Sequence, residues 1–261
     1  MPGTISHKNE EEFLRTRPRD GVHAIKVGTQ WLDVIFNDRS SPMTLVAFHS
    51  AATSRIQKLP YFAGQGTAKA LGWNLIAVSD PSLQLGDIDL AWFLGGRGTG
   101  PLRDRLSPVI RHLLGDTHPV LFGSSGGGYA AILYGQDFPD STVIALNPRL
   151  DMGSRPEPAV QQYLSVCHQS ARRLNMQAVR RKYVTENLGD LYEKGLPFDL
   201  HIIQNLGDQV YMSNQAQPFA DRYANDPRFH FVTENVGRGH VGIPTAFLHD
   251  YLSSLNLPVS N

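Results

Sequence analysis

Residues 118–131 read His-Pro-Val-Leu-Phe-Gly-Ser-Ser-Gly-Gly-Gly-Tyr-Ala-Ala, an apolar run that passes through Gly123-Ser124-Ser125-Gly126-Gly127 into small residues able to open a helix. This is the G-x-S-x-G pattern of a sharp strand-to-helix turn, with a serine at a strained apex and its hydroxyl exposed. Glycines must flank it, because side chains there would collide with the neighbouring strand and helix. Ser125 is therefore the candidate nucleophile. Ser124, one residue before the apex, is its rival and reads as a supporting residue.

A serine hydroxyl attacks poorly near neutral pH, so it needs an imidazole to take its proton and a carboxylate to orient that imidazole. Both types recur downstream, each on a loop after an apolar run. Asn205-Leu206-Gly207-Asp208-Gln209 follows the run at 200–204, and Val236-Gly237-Arg238-Gly239-His240 follows the run at 229–232. Asp208 is the candidate acid, with Asp221 and Asp226 as substitutes, and His240 is the candidate base. The other nine of the ten histidines read as structural, with His49 a partial exception.

Chemistry at an acyl carbon also needs N–H donors aimed at the developing oxyanion. Gly126 supplies one, because the amide after the nucleophile opens a helix where it lacks an intrahelical acceptor. The second is expected from His49-Ser50-Ala51-Ala52, with Ala51 first and Ser50 next.

Convergence of such distant residues requires a particular scaffold. Continuous apolar runs at 44–48, 75–78, 120–122, 143–146, 200–203 and 229–232 have the pattern of strands buried on both faces. Helical stretches over 60–72, 101–115, 127–138, 214–225 and 243–255 separate them. The alternation predicts an α/β fold with a doubly wound, mostly parallel sheet, whose strand-end loops gather on one edge. Residues 22–36 alternate and predict an N-terminal antiparallel hairpin at a sheet edge. The first 20 residues read as a solvated arm or a short capping helix. The interval between Pro148 and Leu200 is too long for one crossover helix, so 151–195 is expected to hold a helical cap insertion. Gly95-Gly96-Arg97-Gly98-Thr99-Gly100 fits neither a dinucleotide fingerprint nor a P-loop and reads as a flexible loop.

With 261 residues and 41% hydrophobic content, the chain is expected to form one domain, 1–261. Its 24 basic and 24 acidic residues cancel, so no global field recruits nucleic acid or an anionic membrane. Cys167 is the sole cysteine, which excludes an internal disulfide and a cysteine-based metal cluster. No His-Glu-x-x-His motif appears, and neither a metal nor a cofactor is expected. The charged N-terminus has no apolar signal core and no run approaches a membrane span, so a cytoplasmic location is expected. Arg172, Arg173, Arg180, Arg181 and Lys182 read as a solvated face of the cap, with contact to a protein partner or an anionic polymer as the alternative.

From about Thr44 to Leu252 the chain resembles the α/β-hydrolase superfamily, through G-x-S-x-G at 123–127, the acid at 208 and the histidine at 240 in that order. His49-Ser50 stands where the superfamily carries a His-Gly oxyanion turn, and this departure leaves the second donor open. Ser79-Asp80-Pro81, Ala91-Trp92-Phe93-Leu94-Gly95, Ser125-Gly126-Gly127-Gly128-Tyr129 and Leu146-Asn147-Pro148 are similar to hydrolase-like proteins of bacterial surface-glycan pathways, among them accessory secretion proteins that acetylate adhesin glycans. The resemblance implies a serine esterase or O-acyltransferase working through an acyl-serine on a glycan or a small alcohol. A non-catalytic binding or scaffold subunit of the same fold is the alternative.

Overall fold

Five of the six apolar runs become inner strands of one nine-stranded sheet and the sixth, 229–232, its last strand, in the order β1-β2-β3-β5-β4-β8-β9-β10-β11. The structure, a computed structural model, describes residues 3–53, 58–154, 158–168 and 176–258. The chain opens with β1 (Ile5–His7), α1 (Glu10–Leu14) and the hairpin of β2 (Gly21–Val27) and β3 (Gln30–Asn37). Next come β4 (Met43–Phe48), α2 (Gln65–Leu71), β5 (Asn74–Ser79), β6 (Gly95–Gly96), β7 (Gly100–Pro101) and α3 (Arg103–Leu114). The centre is β8 (His118–Ser124), α4 (Gly126–Gly135) and β9 (Thr142–Leu146). Three helices, α5 (Pro158–Cys167), α6 (Met176–Tyr183) and α7 (Leu188–Leu191), precede β10 (Asp199–Asn205). The chain ends with α8 (Gln209–Tyr211), α9 (Gln217–Tyr223), β11 (Phe229–Glu234) and α10 (Thr245–Ser254).

Within this sheet only the pairings β2–β3 and β3–β5 are antiparallel; β1–β2 and all its others are parallel. One sheet face packs against α3 and α4 through residues such as Leu106, Val109, Ile110 and Ile132. The other packs against α2 and α10 through Ala68, Leu248 and Leu252. Each fully buried Leu, Ile or Val contributes about 1.5–3 kcal/mol relative to exposure, so both layers hold the sheet flat against its helices.

Three local features differ from expectation. The hairpin is not the outermost element, because β1 pairs beyond it, and α1 turns Phe13 inward against the rings of His7, His23 and His112 at 5.1–5.5 Å. One large apolar ring thus pins a segment rich in charge. The glycine cluster at 95–100 forms the antiparallel ribbon β6–β7, with Gly95 and Gly96 buried. The run at 229–232 is only half-buried, because β11 is the last strand and has no neighbour beyond it. Among the described residues no helix is long and apolar enough to cross a membrane.

Candidate active site

The sheet delivers Ser125 to the C-terminal rim of β8. Its backbone sits at φ 53°, ψ −113°, a region that costs an L-residue about 1–3 kcal/mol. The surroundings hold it there: the Ser125 amide donates to Leu146 O at 2.8 Å, and its carbonyl accepts from the amides of Tyr129 and Arg149, each at 3.2 Å. The glycines follow from close approach. A Cβ on Gly123 would lie 2.1 Å from the Gly127 carbonyl oxygen, and one on Gly127 would lie 2.3 Å from that of Phe48.

His240 and Asp208 reach the same point. Ser125 Oγ donates to His240 Nε2 at 2.9 Å, and His240 Nδ1–H donates to Asp208 Oδ2 at 2.5 Å. The second Asp208 oxygen accepts from the Tyr211 amide at 3.2 Å, so the carboxylate is fully engaged and 3% exposed. The imidazole is 37% exposed and lies against the Tyr211 ring at 4.1 Å. A base fixed on one side and open on the other can accept a proton from the hydroxyl and pass it on. The substitute acids lie elsewhere. Asp221 accepts from Gln217 on the surface, and Asp226 binds the amides of Leu196 and Arg228 at the other end of the sheet. Ser124 ends β8 opposite Leu146, and His240 bonds to Ser125, not to Ser124.

Two asparagines hold the loops, and the motif reading missed them. Asn205 Nδ2 donates to the carbonyls of Gly237 and Gly239 at 2.8 and 2.9 Å, while its Oδ1 accepts from the amides of Gly207 and Val236 at 3.0 and 3.2 Å. One fully buried amide therefore joins the loop of Asp208 to the loop of His240. Asn147, at φ 41°, donates to Val241 O at 2.8 Å and accepts from the Asn205 amide at 2.6 Å. The available signal was positional: a polar amide ends each of two apolar runs, where a buried group must find partners.

The turn after β4 is braced from beneath. His49 is buried; its Nδ1–H donates to Ser50 O at 2.7 Å and its Nε2 accepts from the Asp80 amide at 3.1 Å. Burial lowers the imidazole pKa, which keeps the ring neutral in this role. Asp80 in turn accepts from the amides of Ser82 and Phe93 at 2.9 and 2.7 Å, and burial raises its carboxyl pKa. These bonds hold Trp92 and Phe93 at φ 51° and 57°. The Ala52 amide is committed to Asp89 O at 2.8 Å, and Leu90 packs directly against Gly126. Gly126 opens α4, and the Ser125 side chain makes no capping bond to the helix.

Between β9 and β10, Arg180 pairs with Glu186, and Lys182 lies over the Tyr183 ring at 5.4 Å. Arg172 and Arg173 of the basic cluster lie outside the described residues. Among the described residues no group of three His, Cys, Asp or Glu side chains is placed to hold a metal ion.

This sheet order, elbow and loop placement define an α/β-hydrolase-type fold. The capsule O-acetyltransferase of Neisseria meningitidis serogroup A superimposes with a TM-score of 0.67 at 14% identity, over 92% of this chain and 96% of that one. An S-formylglutathione hydrolase from Agrobacterium tumefaciens gives 0.56 at 16% identity, over 89% and 92%. A bacterial membrane phospholipase A gives 0.54 at 16% identity, over 89% and 84%. No family model matches the sequence, and no curated protein matches it.

Proposed function

We propose that the protein is a serine esterase or O-acyltransferase that works through an acyl-Ser125 intermediate. The reading rests on one observation: the unbroken donor–acceptor relay from Ser125 Oγ through His240 to Asp208, with the apex serine held at positive φ. As Ser125 Oγ bonds to the acyl carbon, its proton passes to His240 Nε2, and Asp208 stabilises the imidazolium. The amides of Gly126 and Ala51 receive the oxyanion; each such donor is worth about 100- to 1000-fold in rate. The leaving alkoxide takes the proton from His240. Water or a second hydroxyl then gives its proton to the same nitrogen and attacks the acyl carbon, and as the bond to Ser125 Oγ breaks His240 returns that proton to the freed serine oxygen.

Residues 151–195 serve as the cap of this site in the same reading. The likeness to a capsule O-acetyltransferase is one of fold, and it makes O-acyl esters of sugars the first substrate class to try. The test is turnover of p-nitrophenyl acetate and of O-acetylated sugars, with and without an added sugar acceptor, by wild type and Ser125→Ala. Wild-type turnover that is lost in Ser125→Ala supports the reading, and an acceptor-dependent product marks transfer. Equal rates for the two proteins contradict it.

A further inference from the structure

Along the rim from Ser125, two cavities adjoin. The first, about 350 Å³, is lined by Ala52, Lys58, Leu59, Tyr61, Leu83 and Ile88 among others. The second, about 400 Å³, is lined by Ser6, Ala24, Trp31, Asp33, Pro60 and Gln84, with Leu59 shared between them. We propose that this cleft binds an oligosaccharide chain that carries the acyl group delivered to Ser125, or that receives it there; the proposal rests on the acyl-Ser125 reading.

Position comes first. Asp33 pairs with Ser79, the last residue of β5, so it stands at the strand-end rim where Ser125 follows β8. The path from β8 through β4 and β5 to β3 crosses three strand spacings, about 14 Å in all. The near cavity is lined by residues next in sequence to those of the proposed acyl site. Ala52 follows the proposed donor Ala51, and Ile88 lies two residues before Leu90, which packs on Gly126.

Chemistry decides the occupant. Trp31 is 39% exposed, and its main chain is clamped twice by one side chain: its amide donates to Gln84 Oε1 at 3.1 Å, and Gln84 Nε2 donates to its carbonyl at 2.6 Å. The main chain that carries the indole is thus fixed, and the Lys26 ammonium lies 4.9 Å from the ring centroid. Two positions on, on the same face of β3, the half-buried Asp33 carboxylate makes no hydrogen bond or ion pair with any described residue. Burial pushes its carboxyl up to about 6.

An ionised carboxylate only accepts, so a half-buried one without donors is an unfilled demand for O–H or N–H groups. A purely apolar chain would leave it unpaired, and phosphate oxygens would bring it further acceptors where donors are needed. A sugar ring offers a C–H face for the indole and hydroxyls for the carboxylate at the same time.

The experiment compares kcat/KM for p-nitrophenyl acetate with that for O-acetylated xylo-, manno- and chito-oligosaccharides and the matching acetylated monosaccharides. Wild type is expected to prefer at least one oligosaccharide over its monosaccharide. In Trp31→Ala and Asp33→Asn the ratio of oligosaccharide to p-nitrophenyl ester kcat/KM falls about tenfold, through KM. Thermal melts confirm that each variant is folded, and Asp33→Asn serves if Trp31→Ala is not. Unchanged ratios in the folded variants, or no oligosaccharide preference in wild type, overturn the proposal. If wild type turns over none of these esters, the acyl-Ser125 reading has failed. Calorimetric titration with the unmodified oligosaccharides then still judges the cleft: binding weakened by Trp31→Ala supports it, and no binding overturns it.

Discussion

Asn147 Nδ2 donates to the carbonyl of Val241 at 2.8 Å, which ties the end of β9 to the residue that follows His240. Its Oδ1 accepts from Asn205, whose own amide bridges the loops of Asp208 and His240. The three side chains of the relay come from three strand ends, and these two asparagines set the distances between them. A hydrogen-bonded base misplaced by about 1 Å can cost 100-fold in rate.

Asn205→Ala leaves two carbonyls and two amides without their partner, at about 1–3 kcal/mol for each group that water does not reach. The melting temperature is expected to fall. At temperatures well below the new midpoint, ester turnover and the rate of fluorophosphonate labelling are both expected to fall at least about tenfold. A folded variant with wild-type labelling would reduce Asn205 to a purely structural residue.

Ser125→Gly separates strain from chemistry. Glycine adopts φ 53°, ψ −113° without steric penalty, though it loses about 0.5–1 kcal/mol in backbone entropy. The net effect is a gain of about 1 kcal/mol, seen as a raised denaturation midpoint with activity abolished. A lowered midpoint would show that the apex is not strained.

Asp208→Asn replaces a pure acceptor with a group that can donate to His240 Nδ1 and so favours the wrong tautomer. The expected loss is about 10³- to 10⁴-fold in kcat with the fold intact, read from ester hydrolysis and circular dichroism. Asp221→Asn and Asp226→Asn are expected to keep turnover within twofold, about 0.4 kcal/mol, because both carboxylates are bonded elsewhere.

His201 is one of the buried imidazoles that acid must charge; it accepts from the Tyr251 hydroxyl at 2.7 Å and stacks on His230 at 4.3 Å. Burial first, and His230 second, lower its pKa from 6.5 to about 4. The folded state therefore binds fewer protons than the unfolded chain between these values. The stability contributed by the neutral ring is full above about 6.5 and is lost progressively down to about 4, to a total of about 3 kcal/mol. Urea midpoints measured across that range should fall less steeply in His201→Gln than in wild type. Equal slopes would assign the acid loss to other groups.

Much of this was legible in the sequence. The six apolar runs are all recovered as strands, five of them buried on both faces as only a covered sheet allows, and G-x-S-x-G marks the turn where glycines at 123 and 127 are sterically required. Gly-Asp and Gly-His loops after the last two runs pointed to Asp208 and His240, which a parallel topology brings to one rim. Less legible was everything set by cross-strand register. Asn147, Asn205, His49 and Asp80 act through partners 31–94 residues away, and no local periodicity encodes such pairs. The outer strand β1 was hidden for a similar reason: three residues are too few to show alternation, and the buried ring that secures them belongs to the next helix.

The central claim is that Ser125 is a nucleophile activated by His240. Its most direct test is to treat wild type, Ser125→Ala and His240→Ala with a fluorophosphonate and map the adduct by peptide mass spectrometry. The account predicts one stoichiometric adduct on Ser125 in wild type, none in Ser125→Ala and strongly slowed labelling in His240→Ala. An unlabelled wild type, or an adduct on a different serine, would contradict it.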